Sequence, residues 1–338
     1  MMLWWVFLLF PSAAFADEAL NYFNQAHQYI QQGQHEQAVA TLEKAIAAYP
    51  RFAEAHHLLG LIYFTGLQQP EQAVAAFKQA VSYYPNFARA HMDMGTVLHH
   101  QQQVADAEAA YQKAVALYPR FLEAQLALAA LYDQTAQPKK AITAYNSALS
   151  LKPDQPDILY KLAYWHHQAG EDEQAHTMLE RLHTTDQNHL DGWLLKGELF
   201  EKANKPDEAV QAYEQALSIK GDLLGPHQAL GFLYQDQGKS EQAAEHFSAI
   251  TKLDPENPEA HLNFGVILAG LKRLDEAEQE YLTAISLEPN LTEGYYNLGV
   301  FYEFHRKDTD KALQQYREYL KLGGTDERIT QLVKKVQP

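Results

Sequence analysis

Small and hydrophobic residues recur along the chain with a period of 34 residues, and within each period they follow helical spacing. An alanine recurs at this interval, with a step of 35 at the first and last positions: Ala38, Ala73, Ala107, Ala141, Ala175, Ala209, Ala243, Ala277 and Ala312. Most of these alanines have an aromatic residue four positions later, at Phe77, Tyr111, Tyr145, Tyr213, Phe247, Tyr281 and Tyr316. The pattern predicts a repeated helical unit that buries one face.

Each unit carries the signals for two helices. A glycine or alanine precedes the alanine column by 12 positions in most units and by 13 at Gly60 and Gly299. A proline, which cannot continue a helix, follows the column by 12 positions at Pro50, Pro85, Pro119, Pro153, Pro255 and Pro289. We therefore expect two amphipathic helices of about 12–14 residues per unit, with the small column of the first helix facing the alanine column of the second.

This order of small, aromatic, alanine and proline columns resembles that of the tetratricopeptide repeat (TPR) family. The resemblance implies an all-α fold, a right-handed superhelical α-solenoid of about nine helix-turn-helix repeats. The array is expected over residues 17–326, and its repeats at 19–52, 53–87, 88–121, 122–155, 156–189, 190–223, 224–257, 258–291 and 292–326. Residues 327–338 are expected to form a helix that caps the last repeat.

The composition excludes several classes of function. Lys and Arg number 27 against 43 Asp and Glu, which gives a formal net charge of −16, so nucleic acid is not an expected partner. The chain has no cysteine, which excludes disulfides, thiolate nucleophiles and Cys-type zinc sites. Little sequence lies outside the repeats, so we expect neither a catalytic domain nor a cofactor.

The first residues resemble an export signal. An apolar run from Leu3 to Phe10 is followed by Pro11 and by Ala14-Phe15-Ala16, which matches the small-x-small rule for signal-peptide cleavage. We expect residues 1–16 to be a signal peptide cleaved after Ala16, and the mature protein to be periplasmic or secreted. The alternatives are an uncleaved hydrophobic anchor and an intracellular protein, and membrane contact is expected only through this segment.

The family resemblance implies that first helices line a concave groove that binds a protein or peptide. Asn263 and Asn297 share one repeat position, and an asparagine can pair with both N–H and C=O of an extended peptide. Further groove candidates are acidic or aromatic: Glu259, Glu293, Tyr296, Phe304, Phe232, Tyr160 and Tyr164. The acidic residues favour a basic partner segment, although an acidic protein can have acidic faces everywhere.

The 16 histidines invite a metal interpretation. His56, His91, His227 and His261 occupy one repeat position, which indicates a structural role. The weak candidate for a metal site is the stripe Glu173, His176, Glu180 and His183, which shares one helix face. A solvated polar stripe is the alternative, and no metal site is assigned.

Together these features predict a protein–protein interaction scaffold or adaptor that binds a partner segment in its groove. By resemblance to exported TPR proteins, the expected role is the assembly or organisation of a bacterial envelope complex. The alternative is an exported solenoid that binds a non-protein ligand, either a glycan or a metal.

Overall fold

The computed structural model describes the backbone of residues 13–336 and the side chains of residues 17–336, and all regular structure in this range is helical. The all-α prediction is thus confirmed. The apolar run of the predicted signal peptide lies outside the described residues. No helix in the described range is long and apolar enough to cross a membrane.

The chain divides into two compact units, Met1–Thr185 and Asp186–Pro338. The boundary falls near the end of the fifth predicted repeat. Within the described residues, the first unit consists of helix pairs in which each helix packs against the next. Its helices are α1 (Ala13–Gln31), α2 (His35–Ala48), α3 (Ala53–Leu61), α4 (Pro70–Tyr83), α5 (Ala88–His100), α6 (Val104–Leu117), α7 (Leu122–Gln134), α8 (Pro138–Leu151), α9 (Pro156–Gln168) and α10 (Asp172–Thr185), and a π-helical segment, Ile62–Gly66, continues α3.

The second unit repeats this arrangement and ends in a single helix. A π-helical segment, Phe301–Arg306, continues its helix α17. The helices are α11 (Leu190–Lys202), α12 (Pro206–Ile219), α13 (Leu224–Asp236), α14 (Ser240–Leu253), α15 (Pro258–Gly270), α16 (Leu274–Leu287), α17 (Thr292–Val300), α18 (Thr309–Lys321) and α19 (Glu327–Val336). The predicted capping helix is α19, whose Ile329 and Val333 are buried in the core of this unit.

The alanine column is the most deeply buried feature of each pair. All nine alanines, from Ala38 to Ala312, are at most 1% exposed. The small residue of the first helix also meets an aromatic ring of its own pair. A Cβ placed on Gly197 would lie 2.5 Å from the ring of Tyr213, and Gly60, Gly95, Gly231, Gly265 and Gly299 likewise meet the ring of their own pair. The aromatic residue four positions after the alanine fills this space, and glycine makes room for its ring.

The turn inside each pair uses one residue in the left-handed backbone region. After α5, for example, Gln102 has φ +61°, and the Gln103 N–H bonds the Leu98 carbonyl at 2.9 Å. This geometry satisfies carbonyls at the end of the first helix. The equivalent residues in the other pairs are Gly33, Gln68, Ala136, Gly170, Asn204, Gly238, Lys272 and Lys307.

The shared histidine position joins one pair to the next. His56 Nε2 lies 3.1 Å from the Pro50 carbonyl oxygen, and His91, His227 and His261 bond the carbonyl six residues earlier at 3.0–3.1 Å. Because a carbonyl only accepts, each ring donates from Nε2. Tyr295 makes the same bond with its hydroxyl, at 3.2 Å. The position therefore has the structural role that its repetition indicates.

Candidate partner-binding site

Three of the predicted groove residues, Glu293, Tyr296 and Asn297, meet at one cavity near the C-terminal end of the second unit. The cavity has a volume of about 600 Å³. It is lined by Thr292, Glu293, Tyr296 and Asn297 of α17, by Tyr319 of α18, and by Gly323, Gly324, Thr325 and Asp326, which precede α19. We call it the C-terminal pocket.

Helical spacing explains how α17 contributes to the pocket. Residues 3 and 4 positions apart lie on the same face of a helix, so Glu293, Tyr296 and Asn297 project together. The Tyr296 ring lies 5.4 Å from the Tyr319 ring, measured between centroids, with a tilt of 57°. Both rings also pack against the hydrophobic core of the second unit. Core packing thus holds this pair of rings in place.

The remaining wall is a loop that is folded onto Tyr319. Gly323 has φ +94°, which favours glycine, and the Gly324 N–H bonds the Tyr319 carbonyl at 3.0 Å. A Cβ on Gly324 would lie 2.3 Å from the Tyr319 ring, so only glycine allows this approach. The Tyr319 hydroxyl accepts hydrogen bonds from the N–H groups of Thr325 (3.2 Å) and Asp326 (3.3 Å). Tyr319 therefore fixes the course of the loop.

The lining carries negative charge without a cation. Its ionisable groups other than tyrosine are Glu293 and Asp326, and it contains no lysine, arginine or histidine. The Asp326 Oδ1 accepts the Ile329 N–H at 2.9 Å and so caps α19. The second carboxylate oxygen of Asp326 remains for contact with a ligand. Glu293 is exposed and forms no ion pair with the described residues. A cation that enters the pocket would meet carboxylates and two aromatic rings.

The two groove asparagines lie on first helices that contact each other, α15 and α17. Asn263 and Asn297 are both partly exposed. Neither side-chain amide hydrogen-bonds another group in the described part of the chain. Asn263 and the exposed Glu259 are not among the residues that line the C-terminal pocket.

The other aromatic candidates lie apart from this pocket. Phe304 is 60% exposed, with the Arg328 guanidinium 5.7 Å from its ring centroid. Phe232 is 39% exposed and makes an edge contact with Phe247. Tyr160 and Tyr164 belong to α9 in the first unit and are partly buried.

Several other acidic residues of the first helices already pair with groups of the protein, so their charge is not free for a partner. Asp93 is only 7% exposed and accepts bonds from Arg89 Nε (3.0 Å) and His57 Nε2 (2.7 Å). Asp133 accepts from Lys161 Nζ at 2.7 Å and from the Trp165 indole. These partners come from the same helix (Arg89), from the preceding repeat (His57) and from the next repeat (Lys161 and Trp165), so the position of a residue within its own repeat does not reveal them.

Glu303 is likewise occupied, and it ties α19 to the last pair. The Arg328 Nη1 donates to both carboxylate oxygens, at 2.9 and 3.0 Å, and the Tyr316 hydroxyl donates to Oε2 at 2.5 Å. Burial, followed by this contact with Glu303, raises the pKa of Tyr316. The phenol therefore stays protonated and keeps its role as the donor.

The four residues of the predicted stripe, Glu173, His176, Glu180 and His183, all lie on α10. Within the described residues, no three His, Asp or Glu side chains come together as one metal ion would require. His183 is only 7% exposed, so the stripe is not uniformly solvated either.

Sequence reasoning missed Tyr319 and the loop at residues 323–326. Both lie at the end of the array, where the repeat columns no longer define which side chains face each other. The close approach of Gly324 to Tyr319 lies in this segment, after the last repeat column. No sequence signal that we identified predicts this contact.

The chain belongs to the tetratricopeptide repeat family, whose members serve as protein-interaction scaffolds. Four models of this repeat match along the sequence, at residues 66–120 and 229–292, at 17–66 and 137–170, at 280–314, and at 190–223. The matches lie in both units. Comparison with curated proteins gives no match.

Two of the similar solved structures, with TM-scores above 0.5, show the same fold. The C-terminal part of a TPR repeat-containing protein from Cytophaga hutchinsonii is 16% identical, with a TM-score of 0.59 over 70% of this chain and 97% of that chain. A structure of Naa15/Naa10 bound to HypK-THB is 15% identical, with a TM-score of 0.56 over 94% of this chain and 65% of that chain. PilF of Pseudomonas aeruginosa is 21% identical, with a TM-score of 0.47 over 67% of this chain and 99% of that chain. At these identities the likeness concerns the fold alone.

Proposed function

We propose that this protein is a non-enzymatic adaptor that binds an extended segment of a partner protein along its first helices. The C-terminal pocket is the principal anchor and takes a lysine or arginine side chain. The observation that carries the proposal is the convergence of Glu293, Tyr296 and Asn297 on one cavity that has acidic groups and no cation.

Each group in the pocket has a distinct part in this binding. The rings of Tyr296 and Tyr319 contact the aliphatic and cationic parts of a basic side chain, which is worth about 0.5–1 kcal/mol at an exposed site. Glu293 supplies a carboxylate for the charge, worth about 0.2–1 kcal/mol. The amides of Asn297 and Asn263 pair with the backbone of the segment, which holds it without reading its sequence.

The test is partner capture by photo-crosslinking from envelope extract at low salt. The full chain is compared with a Tyr296→Ala/Asn297→Ala variant. The matched control is Tyr295→Ala/Asn290→Ala, which makes the same two substitutions outside the pocket lining. All three proteins are first compared by circular dichroism, because only variants that fold alike are informative.

The proposal expects one protein to be captured by the wild type and the control but not by the pocket variant. Capture of the same proteins by all three would contradict the pocket as the anchor. Binding that survives protease treatment of the extract would favour the alternative, a non-protein ligand such as a glycan.

We further propose that the mature protein is exported to the bacterial envelope, where it helps to assemble a complex. The support is the segment at residues 1–16 together with the resemblance to exported TPR proteins. Cleavage after Ala16 would leave Asp17 and Glu18 at the start of α1, where negative charges stabilise a helix. N-terminal sequencing of the protein from the native host should find Asp17 first, whereas an intact Met1 would contradict cleavage.

A further inference from the structure

Two cavities of the first unit are the same structural feature, one repeat apart. The first, of about 410 Å³, is lined by Lys78, His91, Met94, Leu98, Asp106, Ala109, Ala110 and Lys113. The second, of about 420 Å³, is lined by Gln112, Val115, Gln125, Leu128, Tyr132, Lys139, Lys140, Thr143, Ala144 and Ser147. Each of the 8 residues of the first has a counterpart in the second 34 positions later. We call the pair the α4–α8 groove.

The α4–α8 groove reverses the charge balance of the protein. The whole chain has 43 acidic residues against 27 lysines and arginines, but the groove lining has four lysines and one acidic residue, Asp106. Lys78 and Lys113 in the first cavity and Lys139 in the second form no ion pair with the described residues. Lys140 is the exception, since it bonds Glu108 at 2.9 Å.

Between the lysines, the floor of the groove is apolar. Leu98 is 4% exposed, Leu128 7% and Tyr132 4%. These side chains are fixed by the core of the repeats, so the two cavities are formed before any partner binds. A ligand would need negative groups next to apolar side chains.

His91 adds a polar group to the first cavity. Its Nε2 is committed to the Pro85 carbonyl, as at the equivalent histidines. At two of those positions Nδ1 also has a partner on the second helix: His246 for His227, at 2.9 Å, and Glu280 for His261, at 2.5 Å. The equivalent position here is Ala110, which lines the cavity and has no polar side chain. The Nδ1 of His91 is thus available to a ligand in the cavity.

We propose that the α4–α8 groove is a second docking surface, which binds an acidic, partly apolar segment of a partner protein. Carboxylates of the segment pair with Lys78 and Lys113, and an apolar side chain fills the second cavity between Leu128 and Tyr132. Charge complementarity identifies this occupant. The groove lysines would repel a basic segment. A second copy of this chain is disfavoured because the two chains have the same overall negative charge and repel each other.

The probe is a fluorescein-labelled peptide of glutamate and leucine, with a lysine–leucine peptide of equal length as comparison, measured by fluorescence anisotropy with the full chain. Salt at about 0.15 M screens charges beyond a Debye length of about 8 Å, so the overall negative charge repels the acidic probe only weakly. Ion pairs formed directly between the probe and the groove lysines are weakened less by salt than this long-range repulsion is.

Two pairs of variants separate groove contacts from general electrostatics. Lys78→Glu/Lys113→Glu should weaken binding of the acidic probe about tenfold or more. Its control, Lys44→Glu/Lys152→Glu, makes the same change in net charge at exposed lysines of the same unit and should stay within about twofold of the wild type.

The second pair tests the cavity itself without changing the charge. Ala109 is exposed on α6 and lines the first cavity, so Ala109→Leu should fill space there and weaken binding about fivefold. Ala116→Leu makes the same substitution at an exposed position of α6 outside both linings and should have no effect.

The proposal is overturned if the acidic probe does not bind, or if groove and control variants weaken binding equally. It is also overturned if the chain associates with itself and Lys78→Glu/Lys113→Glu alone abolishes that association, since the occupant would then be a second copy. Loss of acidic-probe binding only in the groove variants supports it, whatever the result at the C-terminal pocket.

Discussion

The substitution Gly324→Ala should reshape the C-terminal pocket without removing any of the side chains that we expect to bind the partner. The added Cβ would lie 2.3–2.5 Å from three atoms of the Tyr319 ring, far inside normal contact distance. The ring cannot move aside easily, because it packs against Tyr296 and the core. The loop must therefore move away from Tyr319.

The cost of this movement follows from the contacts that are lost. Overpacking of this kind costs about 1–3 kcal/mol. The N–H groups of Thr325 and Asp326 would also lose their bonds to the Tyr319 hydroxyl, but these amides are near solvent and can bond water instead. We therefore expect the docked loop to be destabilised by about 1–3 kcal/mol, and a loss of 1.4 kcal/mol corresponds to a tenfold change in affinity.

Two measurements check this reasoning. Amide exchange at Thr325 and Asp326 should become faster, and a fluorescein-labelled lysine–glycine peptide should bind about tenfold more weakly. Gly270→Ala is the matched control, because a Cβ at Gly270 meets nothing within 4 Å at the end of α15. If Gly324→Ala left both exchange and affinity as in Gly270→Ala, the packing of Gly324 on Tyr319 would not shape the pocket.

Two further predictions concern stability. Gly197→Ala should lower the free energy of unfolding by about 1–2 kcal/mol, because crowding of the Tyr213 ring outweighs the gain in helix propensity. Gly225→Ala, where the added Cβ meets nothing within 4 Å, should be neutral or stabilising. Equal urea midpoints for the two variants would refute the steric account. Burial lowers the pKa of His246 below its usual 6.5, and the adjacent His227 lowers it further. Because the unfolded chain then binds this proton more tightly than the folded chain does, stability is lost as pH falls through and below 6.5. The fall in urea midpoint between pH 7.5 and 5.5 should be smaller in His246→Gln than in the wild type, and an unchanged fall would contradict this origin.

The fold was predictable because its columns depend on local and nearest-neighbour packing. A helix that must bury Ala209 against its partner requires the same residue types in every repeat, and periodicity reveals them. Which side chain fills the space beside Gly197 was not predictable, because glycine and alanine columns are both small. Only the structure shows that the Tyr213 ring lies there.

The candidate site was predictable in part. Glu293, Tyr296 and Asn297 follow from projecting the repeat register onto one helix face. Tyr319 does not follow, because it joins the pocket through a loop that lies outside the repeat pattern. The bonds of Asp133 could not be predicted from its own helix, because its partners Lys161 and Trp165 come from the next repeat.

The distribution of charge within the chain carries more information than its net value. Acidic residues such as Asp93 and Glu303 are held by arginines of the protein, so they contribute to the net charge of −16 without forming a binding surface. Two surfaces are lined by charges that form no ion pair with the described residues: a carboxylate of the C-terminal pocket, Glu293, and lysines of the α4–α8 groove, Lys78, Lys113 and Lys139. These surfaces select segments of opposite charge, so one partner segment cannot satisfy both. An adaptor with two such surfaces can hold two different segments at once, and raising the salt concentration should weaken both interactions.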